Sequence, residues 1–371
     1  MIILIFCVLV FLSFLVPKSK GMLYTLSGFL WIVISTCLDC ADREVYFDRY
    51  NLYLSSGISS FTEIGYTSVM SFFHWMGLTY TQFLFVINAI MIIVFIWFVV
   101  RNSKRPALAM ALYSIAIFAI DFVQIRNTLG FCLVLIGIDT LMNDACKTKK
   151  SIIIYCILVI MASTIHFANL LFLLLLIPYL YGTKVTVIFT LVANIIWTIF
   201  GQITLISNIV SRFVGVTRTT SILERILKYS SIDVFRIQLA TIATSIILLL
   251  VIYLQVTGHK KKLVKTNMDR ASYSIQYLEN VSFGANTIIL SLSVLSLVSL
   301  VLDVYRIPRY LIILGLTCIT NYPLNNKHHK KMSQNYKLLL LAATLALFWI
   351  QFIFLKNYEV TFRPIFFRWF F

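Results

Sequence analysis

The sequence predicts an all-α, polytopic integral membrane protein of about twelve transmembrane helices, with a range of about 10–14. Three observations carry this. The chain is 60% hydrophobic with mean hydropathy +0.92. Only 12% of its 371 residues are charged. Apolar runs of near-spanning length recur from end to end, which has no soluble explanation, and the alternation of a membrane barrel is absent. Polar-leaning stretches reach only a few tens of residues. The whole of 1–371 therefore reads as one membrane domain, with external loops at about 39–80 and 208–236.

The net charge of +17 does not point to nucleic acid. The basic residues form short clusters between apolar runs, as the positive-inside rule requires. The N-terminus, M-I-I-L-I-F, has no basic flank before its apolar run, so it reads as an uncleaved first span. The spans fall at approximately 2–16, 22–38, 81–100, 106–121, 127–142, 151–165, 168–181, 185–207, 237–256, 284–302, 310–323 and 337–355. Several are shorter than the ~20 residues of a straight spanning helix, and 106–121 and 127–142 are candidates for broken or re-entrant segments. The run 67–78 is aromatic but short, which suits the interface plane. Most of the seven Cys lie inside apolar runs as small hydrophobes. Cys37 and Cys40 form a C-x-x-C without the soluble fold of a redox motif; a local disulfide on an oxidising side is compatible with it.

The loops orient the spans. Lys18, Lys20, Arg101, Lys104, Arg105, Lys147, Lys149, Lys150, Lys184 and the clusters at 260–270 and 327–337 fall on one side, which is then cytoplasmic. Most of the basic residues on the other side are Arg, and most of the acidic residues lie there too. Arg grips phosphate or carboxylate through a planar fork of donors, so an Arg-rich outer face suggests a phosphate-bearing ligand.

The outer face collects the remaining polar chemistry. The stretch D-F-V-Q-I-R-N-T-L-G opens one span with Arg126, and T-I-H-F-A-N closes the next with His166. A short Lys-rich turn joins those spans, so they are expected to be antiparallel neighbours with Arg126 and His166 at one depth, within roughly 10–12 Å, facing one water-filled cavity. Ionisable groups in such positions are functional candidates; the alternative is that both reach for the interface. Residues 39–66 carry Asp48, Tyr50, Tyr53, Glu63 and Tyr66, and carboxylates interspersed with Tyr suit a sugar site or an exposed acidic loop. Arg218 lies in the second external loop, and L-D-V-Y-R-I-P-R-Y places Arg306 and Arg309 on one helical face. There is no internal repeat, Walker A, H-E-x-x-H or G-x-S-x-G. His328 and His329 sit in a cytoplasmic Lys cluster without further metal ligands.

The order of these motifs resembles the Wzy/EpsG-type polysaccharide polymerases: D-R-Y-N-L-Y, T-E-I-G-Y, I-R-N-T-L-G, T-I-H-F-A-N, V-Y-R-I-P-R-Y, then R-P-I-F-F. Arg363-Pro364-Ile365 stands where that family more often has Pro-Tyr. The resemblance implies a GT-C-like helical bundle in the bacterial cytoplasmic membrane with its active face outside. It implies a glycosyltransferase that moves a growing glycan from undecaprenyl diphosphate to a hydroxyl of the next lipid-linked repeat unit, for O-antigen, capsule or exopolysaccharide. The donor is already activated, so no cofactor or metal is expected. A flippase and a chain-length regulator are the implied protein partners. Arg126, Arg306 and Arg309 then suit the leaving diphosphate, and His166, with Glu63 second, suits the base for the acceptor hydroxyl. Asp48, Tyr50, Tyr53 and Arg218 are the remaining substrate-binding candidates. Direct attack inverts the anomeric centre, whereas retention would need a second displacement through a carboxylate nucleophile. The competing readings are a glycan ligase of similar chemistry, a repeat-unit flippase and a membrane O-acyltransferase.

Overall fold

A computed structural model describes residues 1–37, 39–40, 42–56, 63–144, 146–214, 231–263, 271–299, 302–321 and 334–367. Among them every regular element is helical. The helices are α1 (Ile2–Leu15), α2 (Lys20–Ser35), α3 (Arg43–Ser56), α4 (Ile64–Trp75), α5 (Tyr80–Asn102), α6 (Pro106–Ala116), α7 (Phe118–Val123), α8 (Ile125–Met142) and α9 (Lys149–Ile165). They continue as α10 (Leu176–Val214), α11 (Ser231–Leu263), α12 (Ala271–Ser291), α13 (Arg306–Tyr310), α14 (Ile312–Thr320), α15 (Gln334–Phe348) and α16 (Arg363–Phe366). Five stretches among the described residues are long and apolar enough to cross a membrane: Tyr80–Asn102, Ile125–Met142, Phe167–Ile199, Val234–Gln255 and Asn335–Phe354. Shorter apolar helices, Ile2–Leu15, Lys20–Ser35 and Pro106–Ala116, stand beside them. The expected count of about twelve therefore exceeds the helices that qualify by length and composition.

Polar contacts gather at two ends of the bundle. At one end Arg101 of α5 pairs with Asp139 of α8 at 3.0 Å, Lys337 donates to the Phe14 carbonyl, and the Lys104 amide donates to Asn321. Thr148 caps α9 there, and Asp144 accepts from its hydroxyl and its amide, both at 2.7 Å. At the other end α2 finishes beside the Cys37–Cys40 disulfide, and Cys37 Sγ lies 3.7 Å from the Pro364 carbonyl oxygen. Arg43, the first residue of α3, is buried and donates to the Ile34 carbonyl, and the Tyr80 hydroxyl reaches the Arg43 carbonyl.

The hairpin of α8 and α9 is the best-packed pair. Gly137 permits it: a Cβ there would sit 2.7 Å from the Tyr155 ring. The helices are joined by a short polar turn and run antiparallel, as the spacing of the two apolar runs predicts.

Where the helices break, side chains satisfy the freed backbone, as apolar surroundings demand. The run 106–121 is broken at Ile117, a second break follows at Gln124, and 127–142 is part of one continuous helix. His166 is extended (φ −153°, ψ 119°) and ends α9; a 3₁₀ stretch, Phe167–Leu175, follows. Asn169 folds back to donate to the Ala162 carbonyl at 3.2 Å. After α12 the chain loosens into 3₁₀ turns, and Asn194 of α10 donates to the Leu292 carbonyl and accepts from the Ser296 amide.

Candidate active site

Three elements deliver three side chains to one point at the end of the bundle that holds the disulfide. Arg126 stands in the first turn of α8, His166 follows the last turn of α9, and Glu63 precedes α4. Arg126 Nη1 donates to Glu63 Oε2 at 2.9 Å, and His166 Nδ1 lies 3.3 Å from Glu63 Oε1. One carboxylate thus joins the two residues that the turn length predicts to be neighbours. A fourth side chain, Tyr46 of α3, joins them: its hydroxyl accepts from Arg126 Nε at 3.1 Å. The Tyr46 and Tyr66 rings lie 5.6 Å and 6.0 Å from the guanidinium carbon, within cation–π range.

Gly65 is the reason Glu63 can reach. A Cβ at that position would lie 2.7 Å from the Thr164 carbonyl carbon and 2.9 Å from the Ile165 amide nitrogen. Only a residue without a side chain lets the first turn of α4 sit directly on the last turn of α9. Gly130 does the same for the partner motif, because a Cβ there would overlap the Asn169 amide that ties off α9. The conspicuous glycines of T-E-I-G-Y and I-R-N-T-L-G are therefore packing devices that hold Glu63, Arg126 and His166 in register.

The cluster is mostly desolvated yet reachable. Its side chains keep 20% (Arg126), 15% (Glu63) and 11% (His166) of their surface exposed, next to the outward-facing Ile64 and Phe167. Burial first, then the Arg306 and Arg126 guanidinium groups, lower the His166 pKa below its ordinary 6.5; Glu63 opposes them. The imidazole is therefore neutral at neutral pH. With Nδ1–H donated to Glu63, Nε2 carries the lone pair, and that atom is buried with no hydrogen-bond partner among the described residues. A neutral imidazole with an oriented, unoccupied Nε2 can accept a proton, and two guanidinium groups beside it can stabilise an anion.

A second polar network lies behind the first. Arg309 is buried, with Nε on Asp121 at 2.9 Å and Nη2 on the Gln124 side-chain oxygen at 2.6 Å. Asp121 also accepts from the Tyr113 hydroxyl at 2.7 Å, and the Thr128 hydroxyl reaches the Asp121 carbonyl oxygen and the Tyr310 hydroxyl. Gln124 and Arg126 flank the start of α8, so Arg309 braces the turn on which Arg126 stands.

The other predicted residues divide. Arg306 is half-buried and close enough to His166 to influence it electrostatically. Arg309, expected to face substrate, is instead occupied by Asp121 and Gln124. Tyr50, expected as a sugar platform, is buried between Tyr80 and Phe83, with its hydroxyl on the Leu78 carbonyl. Asp48 is exposed and lies two positions beyond Tyr46, about 200° around α3, so it faces away from the cluster. Arg218 and the side chain of Tyr53 lie outside the described residues. Sequence reasoning passed over Tyr46, Asp121 and Gln124. For Tyr46 a signal existed, since it precedes Tyr50 by one helical turn in V-Y-F-D-R-Y.

The family model for the EpsG family matches residues 2–363. No curated protein and no solved structure matches the chain. With helices apolar enough to cross a membrane and a family match over nearly its whole length, the chain belongs to the EpsG family of membrane proteins of polysaccharide biosynthesis.

Proposed function

We propose that this protein polymerises lipid-diphosphate-linked oligosaccharide units on the outer face of the bacterial cytoplasmic membrane. Glu63, Arg126 and His166 are its reaction centre. One observation carries the reading: a single carboxylate holds an arginine fork and a histidine whose second ring nitrogen is buried and has no hydrogen-bond partner among the described residues. In the proposed step the acceptor hydroxyl gives its proton to His166 Nε2. Its oxygen attacks the anomeric carbon of the growing glycan. The bond from that carbon to the diphosphate oxygen breaks, and the electron pair leaves with the lipid diphosphate. Arg126 and Arg306 balance the charge that develops on the leaving group. Glu63 fixes the imidazole tautomer and the guanidinium plane, acting as orienter and not as the base. A single displacement of this kind inverts the anomeric centre.

The outward placement draws support from two independent features. Among the described residues, Lys18, Lys104, Lys147 and Lys337 stand at the end away from the cluster. The Cys37–Cys40 disulfide lies near the cluster, and disulfides persist in oxidising compartments. We assign about twelve passages, the five long helices being supplemented by shorter and broken ones that are shielded by protein.

The test uses the purified full chain with lipid-diphosphate-linked repeat units. The expected product is a ladder of lengthening lipid-linked glycan, and His166→Ala is expected to lower the rate by roughly 10²–10⁴-fold. A single transfer of finished glycan to another acceptor, without a ladder, would instead identify a ligase. Wild-type rates for His166→Ala would remove the histidine from the step.

A further inference from the structure

Gln351 is buried, and both ends of its side-chain amide are engaged. It stands in a π-helical stretch, Trp349–Phe354, that continues α15. Wide turns of this kind are rare and are frequent at functional sites. The Gln351 side-chain oxygen accepts from the Tyr305 hydroxyl at 2.5 Å. Its nitrogen donates to the Thr244 hydroxyl of α11 at 3.2 Å. The Asn357 side chain donates to the Gln351 carbonyl at 2.9 Å, so the wide turn is itself held.

What these bonds hold is the start of α13. Tyr305 closes a 3₁₀ turn, Leu302–Tyr305, and Arg306 opens α13 directly after it. So short a helix does not stand by itself, and side-chain anchors fix it. Tyr310 meets the Thr128 hydroxyl at 3.0 Å and the Phe131 ring at 4.7 Å, both on α8. Arg309 is held by Asp121 and Gln124. Tyr305 ties the other end of α13 to different neighbours, α11 and the π-helical stretch. At about 100° per residue, Arg306 falls between Tyr305 and Tyr310 around the helix axis. Without the Tyr305 anchor α13 is free to turn about that axis, and Arg306 turns with it. α13 packs against Phe167–Leu175, the stretch that follows His166. Among the described residues, the charged groups set around the His166 imidazole are Glu63 from α4, Arg126 from α8 and Arg306 from α13. We propose that Gln351 is a positioning residue of the reaction centre, which through Tyr305 sets where the Arg306 guanidinium stands against His166 and the leaving diphosphate. The diphosphate part rests on the polymerase reading; the placement against His166 does not.

The test reads the His166 pKa by NMR of the full chain in detergent with isotope-labelled histidine, the His166 signal being identified by its loss in His166→Ala. Gln351→Met keeps the side-chain volume and removes both bonds, and Tyr305→Phe removes one. Each is expected to raise the pKa toward its ordinary value, as Arg306→Gln does, because the guanidinium that opposes protonation has moved away. Adding Arg306→Gln to either variant should shift it no further. Tyr336→Phe removes a similarly buried hydroxyl bond, to the Ile319 carbonyl near the start of α15, and should leave the pKa where it is. In the polymerisation assay Gln351→Met should lower the rate by roughly 10²-fold, the cost of a misplacement of about 1 Å. An unchanged pKa in both Gln351→Met and Tyr305→Phe, or in Arg306→Gln, would overturn the inference. So would an equal shift in Tyr336→Phe, or a shift that adds in full to that of Arg306→Gln. Should Gln351→Met fail to fold, Tyr305→Phe decides alone. Shifted pKa values with no glycan ladder from the wild-type chain would remove the polymerase reading and leave the placement of Arg306 standing.

Discussion

Glu63 and Asp121 are both carboxylates paired with an arginine, and their surroundings give them different work. Asp121 and Arg309 are almost fully buried and hydrogen-bonded on every side that the structure describes. Removing one partner strands a buried charge, so Asp121→Asn is expected to cost about 3–5 kcal/mol of stability, read as a lowered unfolding midpoint. Glu63 keeps some solvent and serves an imidazole, so Glu63→Gln is expected to fold normally and lose activity. The pH profile separates orienting from base roles. The acid limb of the wild-type rate should lie below pH 6.5, because the His166 pKa is lowered and the neutral form is the active one. Glu63 raises that pKa and Arg306 lowers it. The residual activity of Glu63→Gln should therefore have its acid limb at lower pH than wild type, and Arg306→Gln at higher pH. Opposite or absent movements would show that His166 is not the titrating group. Arg126→Lys keeps the charge but loses the planar fork that reaches Tyr46 from Nε and Glu63 from Nη1, so a large activity loss with normal membrane insertion is expected.

At the scale of elements, the site depends on how closely α4, α8 and α9 approach. Gly65→Ala forces the first turn of α4 away from the Thr164–Ile165 backbone, because backbone cannot step aside as a flexible side chain can. A shift of about 1 Å there separates Glu63 from His166, and misplacement of that size costs on the order of 10²-fold in rate. Activity should fall while the other helices stay folded, measured as polymer yield against circular dichroism of the same sample. Full activity would show that α4 has slack. This part of the site was half legible in the sequence. A short basic turn between two apolar runs was enough to pair Arg126 with His166, because short connections force neighbouring antiparallel helices. Glu63 could be named as a candidate but not placed, since nothing in a linear sequence says that a glycine two residues later faces another helix. Tyr50 and Arg309 misled for one reason: polar side chains in an apolar chain signal either a site or a buried bond, and only the partners distinguish them. Asp48 misled through its helical phase, which composition does not carry.

At the scale of the whole molecule, charge type and packing agree on two ends. Lys dominates the loops near Asp139, Asp144 and Asn321, while Arg126, Arg306 and the disulfide lie at the other end. That division predicts which residues a reagent outside the cell can reach. Cys146 is native, free and exposed in the Lys-rich turn between α8 and α9. Asp48 is exposed on the outward-turned side of α3. In a chain with Cys7→Ala and Asp48→Cys, a membrane-impermeant thiol reagent added to intact cells should label position 48 and spare Cys146. Permeabilised cells should label both. The Cys37–Cys40 disulfide removes two thiols from the assay, and Cys132 and Cys318 are buried, so the signal is confined to few positions. Cys156, of intermediate exposure within α9, is controlled by the Cys156→Ala variant. If Cys146 labelled in intact cells and position 48 did not, the bundle would be inverted. The Glu63–Arg126–His166 cluster would then face the cytoplasm, and the reaction would need a substrate presented on that side.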